Sequence, residues 1–178
     1  MTNGLFIGRF QPFHKGHLAT VKFALEKVEH LVIVVGSAQK SHEPRNPFTA
    51  GERIRMIKES LDIDSETDVR RILIIPIPDT DVHSLWTHQV DMLVPKYDVV
   101  FANDLFTLML FREQGVKAIE APLYRRNEMR ATEIRRRMAA EEIWEDLVPM
   151  SVSKVIKEIK GVERVKALSR RDLLGHIT

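Results

Sequence analysis

Two short apolar runs separated by one helical stretch decide most of what this chain can fold into. LFIG (Leu5 to Gly8) is followed, from His17 onward, by Leu18, Val21, Leu25 and Val28 at helical spacing, and then by LVIVVG (Leu31 to Gly36), rich in β-branched residues. That order is strand, helix, strand. A strand apolar at every position is buried on both faces, and such strands belong to parallel sheets covered by helices. Further along, TAGE (Thr49 to Glu52) has capping-box spacing ahead of a helix. RILIIPI (Arg71 to Ile77) predicts a third strand, ended by prolines that cannot donate to a ladder. A helix near Leu85 to Leu93, a strand over Asp98 to Ala102, a helix over Leu105 to Gln114 closed by Gly115, and a strand over Lys117 to Ala121 complete the alternation. Five strands alternating with helices predict an α/β fold, a doubly wound, mostly parallel sheet. Its ligand crevice should lie at the carboxyl ends of the strands, beside the first strand, where the winding reverses.

Helical patterns at Thr132 to Glu141, Ser151 to Lys160 and Glu163 to Leu174 read as a C-terminal cap, with Val155, Ile156 and Ile159 on an apolar face. The expectation is one domain over residues 1–178, with a sheet core over 1–122 and a helical part over 123–178. The net charge is only +2, so basic function must come from local clusters at Arg70-Arg71, Tyr124 to Arg130, Arg135 to Arg137 and Arg170-Arg171. The absence of cysteine rules out disulfides and thiolate metal sites. No apolar run approaches the roughly 18 residues of a membrane span and no leader pattern is seen, so a cytoplasmic protein that does not engage membranes is expected.

GRFQPFHKGH (Gly8 to His17) lies between the first strand and its helix. Gly8 permits close backbone approach, Pro12 fixes the turn, and Gly16 sits at a helix entry suited to a phosphate. His14 and His17, three apart, can point the same way and donate hydrogen bonds to a phosphoryl oxygen gaining charge, while Arg9 and Lys15 add positive charge. The same histidines could be two zinc ligands lacking an adjacent third, or residues of a solvated turn. Neither G-x-G-x-x-G nor G-x-x-x-x-G-K-[ST] occurs, which disfavours a dehydrogenase fingerprint and a P-loop.

HKGH at this position resembles the H-x-G-H signature of the nucleotidyltransferase α/β phosphodiesterase superfamily, which has a Rossmann-like fold. GRFQPFHKGH, GSAQKSH (Gly36 to His42), NPFTAGER (Asn46 to Arg53), TEIRRRM (Thr132 to Met138) and the stretch from Val148 to Arg164 together resemble its archaeal nicotinamide-nucleotide adenylyltransferase branch. The resemblance implies attack of the nicotinamide mononucleotide phosphate on the α-phosphorus of ATP, giving NAD and pyrophosphate, with Mg²⁺ carried mainly by the ATP phosphates. It implies catalytic roles for His14, His17 and Arg9. It assigns ATP to Gly8, Phe10, Arg45, Thr132 and Arg135, and nicotinamide mononucleotide to Gly36, Ser37, Asp79 and Trp86. A homo-oligomer, commonly a hexamer, and no nucleic-acid partner are also implied. For Trp86 a place in the core is an equal expectation, and for TEIRRRM the alternative is a solvated basic helix face. Two rival functions are a related nucleotidyltransferase with another phosphorylated acceptor, and a nucleic-acid-binding module using the Arg125 to Arg137 region. The chain departs from the family pattern at His83, Asn103, Asp104 and Arg130.

Overall fold

The computed structural model describes residues 1–122 and 129–175. Its elements are β1 (Asn3–Gly8), α1 (Lys15–Leu25), β2 (His30–Val35), α2 (Ala50–Ile63), β3 (Ile72–Pro76), α3 (His83–Leu93), β4 (Val99–Ala102), α4 (Leu105–Glu113), β5 (Lys117–Glu120), α5 (Ala131–Ala139), α6 (Met150–Glu158) and α7 (Gly161–Gly175). Every strand and helix expected from the sequence is present, with ends shifted by a few residues. Two single-turn 3₁₀ segments, Val69–Arg71 and Glu145–Leu147, are additional. Most of the Tyr124 to Arg130 cluster lies outside the described residues.

The chain divides into two compact units that interleave along the sequence. One contains residues 1–9, 19–39 and 65–123; the other contains 10–18, 40–64 and 124–178. The first unit holds the sheet, in the order β3-β2-β1-β4-β5 with every pair parallel. The order turns at β1: successive strands extend to β3 on one side and resume at β4 on the other, which makes the β1/β4 boundary the switch point of the winding. β1, β2 and β4 are buried along most of their length, whereas β3 is an edge strand with Leu73 about half exposed. Its edge position is what accommodates Pro76, whose missing N–H faces no further strand. The core of this unit is built from Leu5, Ile7, Val32, Val34, Val100 and Phe111.

One basic pair of the sequence is absorbed by this unit. Arg71 donates to the carbonyl oxygens of Leu25, Val28 and Glu29, satisfying groups left open where α1 ends, while Arg70 pairs with Asp68. Gly4 is closely packed in β1. A Cβ there would lie 2.9 Å from Phe101 Cε2 and 3.1 Å from Val28 Cγ1. Gly4→Ala is expected to cost about 1 kcal/mol, overpacking outweighing the gain of a better strand residue, as read from the midpoint of chemical unfolding.

The second unit has no sheet. The Thr49/Glu52 capping box forms as expected, starting α2, and α6 buries Val152, Val155 and Ile156, with Ile159 only partly covered. Gly161 opens α7 where a Cβ would come within 2.8 Å of the Phe48 ring and 3.0 Å of Ile156. Among the described residues no helix is long and apolar enough to cross a membrane.

Candidate active site

β1 delivers the chain at Gly8 into the segment that carries the two histidines. Phe10 takes a left-handed backbone conformation (φ 53°) and is buried, as is Phe13. Both rings serve as a wall for His17, whose imidazole meets Phe10 edge-on at 4.8 Å and Phe13 face-on at 5.5 Å between centroids. The Phe10 side chain thus shapes the place of His17. His14 stacks on His17 with centroids 3.5 Å apart and planes inclined by 19°. Gly16 leaves room for this stack, because a Cβ there would lie 3.1 Å from the His14 ring.

The hydrogen bonding of the pair is reciprocal. The backbone N–H of His14 donates to Nδ1 of His17 at 3.2 Å, and the backbone N–H of His17 is shared between the His14 carbonyl oxygen at 2.9 Å and Nδ1 of His14 at 3.3 Å. An Nδ1 that accepts carries no proton, so each neutral ring is held as the Nε2–H tautomer. Burial pushes the His14 pKa down to about 3, and burial together with the neighbouring His14 lowers that of His17 well below its usual value. Two stacked rings at this distance are compatible with neutral imidazoles and not with two cations. The result is a pair of neutral donors, each with its proton on Nε2.

Gln11, which the sequence does not single out, organises what surrounds them. Its side-chain amide pairs both ways with the backbone of Phe48: Nε2 donates to the Phe48 oxygen and the Phe48 N–H donates to Oε1, each at 2.9 Å. Its own carbonyl accepts from Nη1 of Arg135 at 2.7 Å. Thr132 is exposed in the first turn of α5, a helix whose N-cap, Arg130, provides no side-chain cap. Met129, just before α5, approaches Gly16 closely enough that a Cβ there would lie 3.7 Å from its own. The second unit therefore brings the H-x-G-H turn, the Phe48 backbone and α5 together. Arg45 is exposed on the segment leading to α2. The Lys15 ammonium donates to the Asp146 carbonyl at 2.7 Å. The arginines of TEIRRRM take different partners. Arg136 and Arg137 pair with Glu133, while Arg135 turns to Gln11.

In the sheet unit, Gly36, Ser37 and Asp79 lie just beyond the ends of β2 and β3. The Gly36 N–H donates to the Gly8 oxygen at 2.9 Å, tying the ends of β1 and β2. Ser37, buried and with positive φ (49°), donates its hydroxyl to Asp79 Oδ1 at 3.0 Å, and the Asp79 N–H donates to Oε1 of Gln39 at the same distance. Arg9 is exposed. Trp86 packs edge-to-face on Phe111 against the core, with its indole N–H buried and unpartnered among the described residues. Of the departures, Asp104 caps α4 by accepting from the N–H and hydroxyl of Thr107, both at 2.8 Å. The Asn103 side-chain oxygen is buried without a hydrogen-bond partner among the described residues, and the side chain of His83 lies outside them.

Comparison with known proteins places the chain in a family. The cytidylyltransferase-like family matches residues 5–137. The nicotinamide-nucleotide adenylyltransferase of Pyrococcus furiosus is 46% identical over 169 residues, covering 95% of this chain and 90% of its own. That of Archaeoglobus fulgidus is 47% identical over 169 residues, covering 94% and 97%. Among solved structures, a bifunctional NMN adenylyltransferase/ADP ribose pyrophosphatase from Francisella tularensis, complexed with AMP and a Mn ion, superposes with a TM-score of 0.80 at 24% identity. That match covers 96% of this chain, which spans about half (53%) of the bifunctional protein, and it shows the shared fold. With near-complete coverage by relatives at this identity, the chain belongs to the nicotinamide-nucleotide adenylyltransferase family of cytidylyltransferase-like proteins.

Proposed function

We propose that the chain transfers AMP from ATP to nicotinamide mononucleotide. The 5′-phosphate oxygen of the acceptor forms a bond to the α-phosphorus as the bond to the bridging α–β oxygen breaks, releasing NAD and pyrophosphate. A phosphate monoester is largely dianionic at neutral pH, its second pKa being about 6, so no general base is required. The catalytic need is to hold two anions in line and stabilise charge as it moves to the leaving oxygens. The observation that carries this reading is the locked pair His14/His17: neutral rings with Nε2–H donors neither titrate near neutrality nor act as nucleophile or base, but donate to a phosphoryl oxygen.

Arg9, Arg45 and Arg135 supply charge for the triphosphate, Gly8 permits its approach, and Thr132 offers a hydroxyl at the start of α5. The Phe10 side chain contributes by holding His17. On the acceptor side, Gly36 and Ser37 end β2 and the Asp79 carboxylate can accept ribose hydroxyls. The indole N–H of Trp86 is a donor in need of a partner, and its ring a stacking surface for nicotinamide. In this reading a Mg²⁺ rides on the ATP phosphates and water, as suits a hard cation that keeps several waters. When bound, it neutralises charge on the phosphates. A cytoplasmic homo-oligomer, with a hexamer as the expected state, belongs to the same proposal.

The test is a pyrophosphate-release assay with ATP, Mg²⁺ and a panel of phosphorylated acceptors. Nicotinamide mononucleotide should give NAD and one pyrophosphate per turnover. Turnover of a different acceptor with none of this one would overturn the assignment, and salt-sensitive oligonucleotide binding without pyrophosphate release would favour the nucleic-acid reading.

A further inference from the structure

We propose that Gln11 is a positioning residue for the ATP half of the reaction, joining three separate stretches of the second unit into one phosphate-binding surface. The inference rests on the adenylyltransferase reading. It begins from an oddity of burial: a glutamine between two aromatic residues of a glycine-flanked turn has only 2% of its surface exposed. A side chain with two donors and a two-lone-pair acceptor is that deeply buried only when its hydrogen-bonding capacity is used.

Its bonds run to different parts of the chain. The side-chain amide is laid against the Phe48 peptide as a neighbouring strand would be, donating to its oxygen and accepting from its N–H. This fixes the segment that leaves Arg45 and enters α2. The backbone carbonyl of Gln11 takes Nη1 of Arg135, 124 positions away, and so fixes α5, on which Thr132 also stands. Three residues beyond Gln11 begins the stacked pair His14/His17. Every residue assigned to ATP in this unit is thus within a few residues of a Gln11 bond, while Gln11 itself, sealed from solvent, touches no substrate. An amide is the group that fits. A carboxylate of the same length accepts from the Phe48 N–H but cannot donate to its oxygen, and an apolar side chain does neither.

The experiment compares Gln11→Met, which keeps length and removes both amide bonds, with Gln11→Glu, which keeps the acceptor, and with Ile156→Val, a mild core change elsewhere in the same unit. Steady-state rates are measured with ATP and with acceptor varied separately, alongside melting temperature and hydrogen exchange at the Phe48 amide. Gln11→Met should lower kcat/KM for ATP by about tenfold, a fraction of the hundredfold that a 1 Å misplacement costs. Its KM for the acceptor should stay within about twofold, with Phe48 protection lost and Gln11→Glu falling between it and the wild type. Ile156→Val, at whatever melting loss it shows, should keep the wild-type rate. Unchanged ATP kinetics in Gln11→Met, or the same ATP defect in Ile156→Val, overturns the proposal. If Gln11→Met does not fold, Gln11→Glu is judged by the same criteria. Failure of the functional reading itself is visible separately, as a wild-type protein that makes no NAD.

Discussion

His17→Ala is expected to lower kcat by on the order of a hundredfold or more with the fold retained, because on the proposed reading it deletes a donor to charge that develops only in the transition state. KM should change far less, since the same donor does little for the ground state. The geometry adds a second consequence. His17 Nδ1 is the acceptor for the His14 backbone N–H, so its removal also loosens the ring that remains. Measured kcat should therefore fall further in His17→Ala than in His17→Asn, whose amide can still accept locally. Nitrogen-15 spectra of labelled histidine should show both rings as Nε2–H tautomers across pH 6 to 8; a His17 ring that titrates near 6.5 would contradict the locked neutral pair. Linkage gives the matching stability effect. Both folded pKa values lie below the ordinary 6.5, so the unfolded chain takes up protons first and stability falls as pH drops below that value. That acid-side slope should be shallower in His17→Ala.

The parallel sheet and the histidine turn were legible in the sequence for different reasons. Continuous apolar runs such as Leu31 to Val35 can only be satisfied by burial on two faces, and alternation with helices leaves few topologies. The turn was legible because its residue types are chemically unusual together. What stayed hidden depends on partners distant in the chain. Nothing local distinguishes Arg71, which closes the end of α1, from Arg70, which pairs with a neighbour on the surface. Nothing local sends Arg135 to Gln11 while Arg136 and Arg137 go to Glu133. Nor does anything local send the Lys15 ammonium to a carbonyl in the 3₁₀ turn at Asp146. A polar residue squeezed between aromatic ones, as Gln11 is in RFQPF, is the signal that could have been read.

Arg164→Ala should destabilise the second unit by about 2–3 kcal/mol near neutral pH, the cost of taking one partner from a largely buried, bidentate pair that retains some solvent contact. Arg164 donates through Nη1 and Nη2 to the two oxygens of Glu52, at 2.7 and 2.9 Å, and through Nη1 to the Pro47 carbonyl at 3.1 Å. Both side chains are about one-fifth exposed. Glu52 is not a spare carboxylate: it completes the capping box of α2 by accepting from the Thr49 N–H at 2.8 Å. The ion pair thus clamps α7 to the start of α2, one residue from Phe48. Burial works to raise the Glu52 pKa, but the Arg164 and Thr49 hydrogen bonds outweigh it and hold the value below the ordinary 4.5. The sign follows from that depression. The contribution is fully present above about pH 4.5 and is lost as pH falls through the folded pKa, so wild type and Arg164→Ala should converge in stability on acidification. Chemical unfolding at pH 7 and again near pH 3 measures this; a gap that stays constant would mean that Arg164 acts through its packing and not through the Glu52 charge. Arg164→Lys should recover only part of the loss, because an ammonium cannot span both carboxylate oxygens. Since the Pro47 carbonyl loses its donor in Arg164→Ala, the KM for ATP should rise in that variant together with the fall in stability, carried through the Phe48 backbone to Gln11 and the histidine turn.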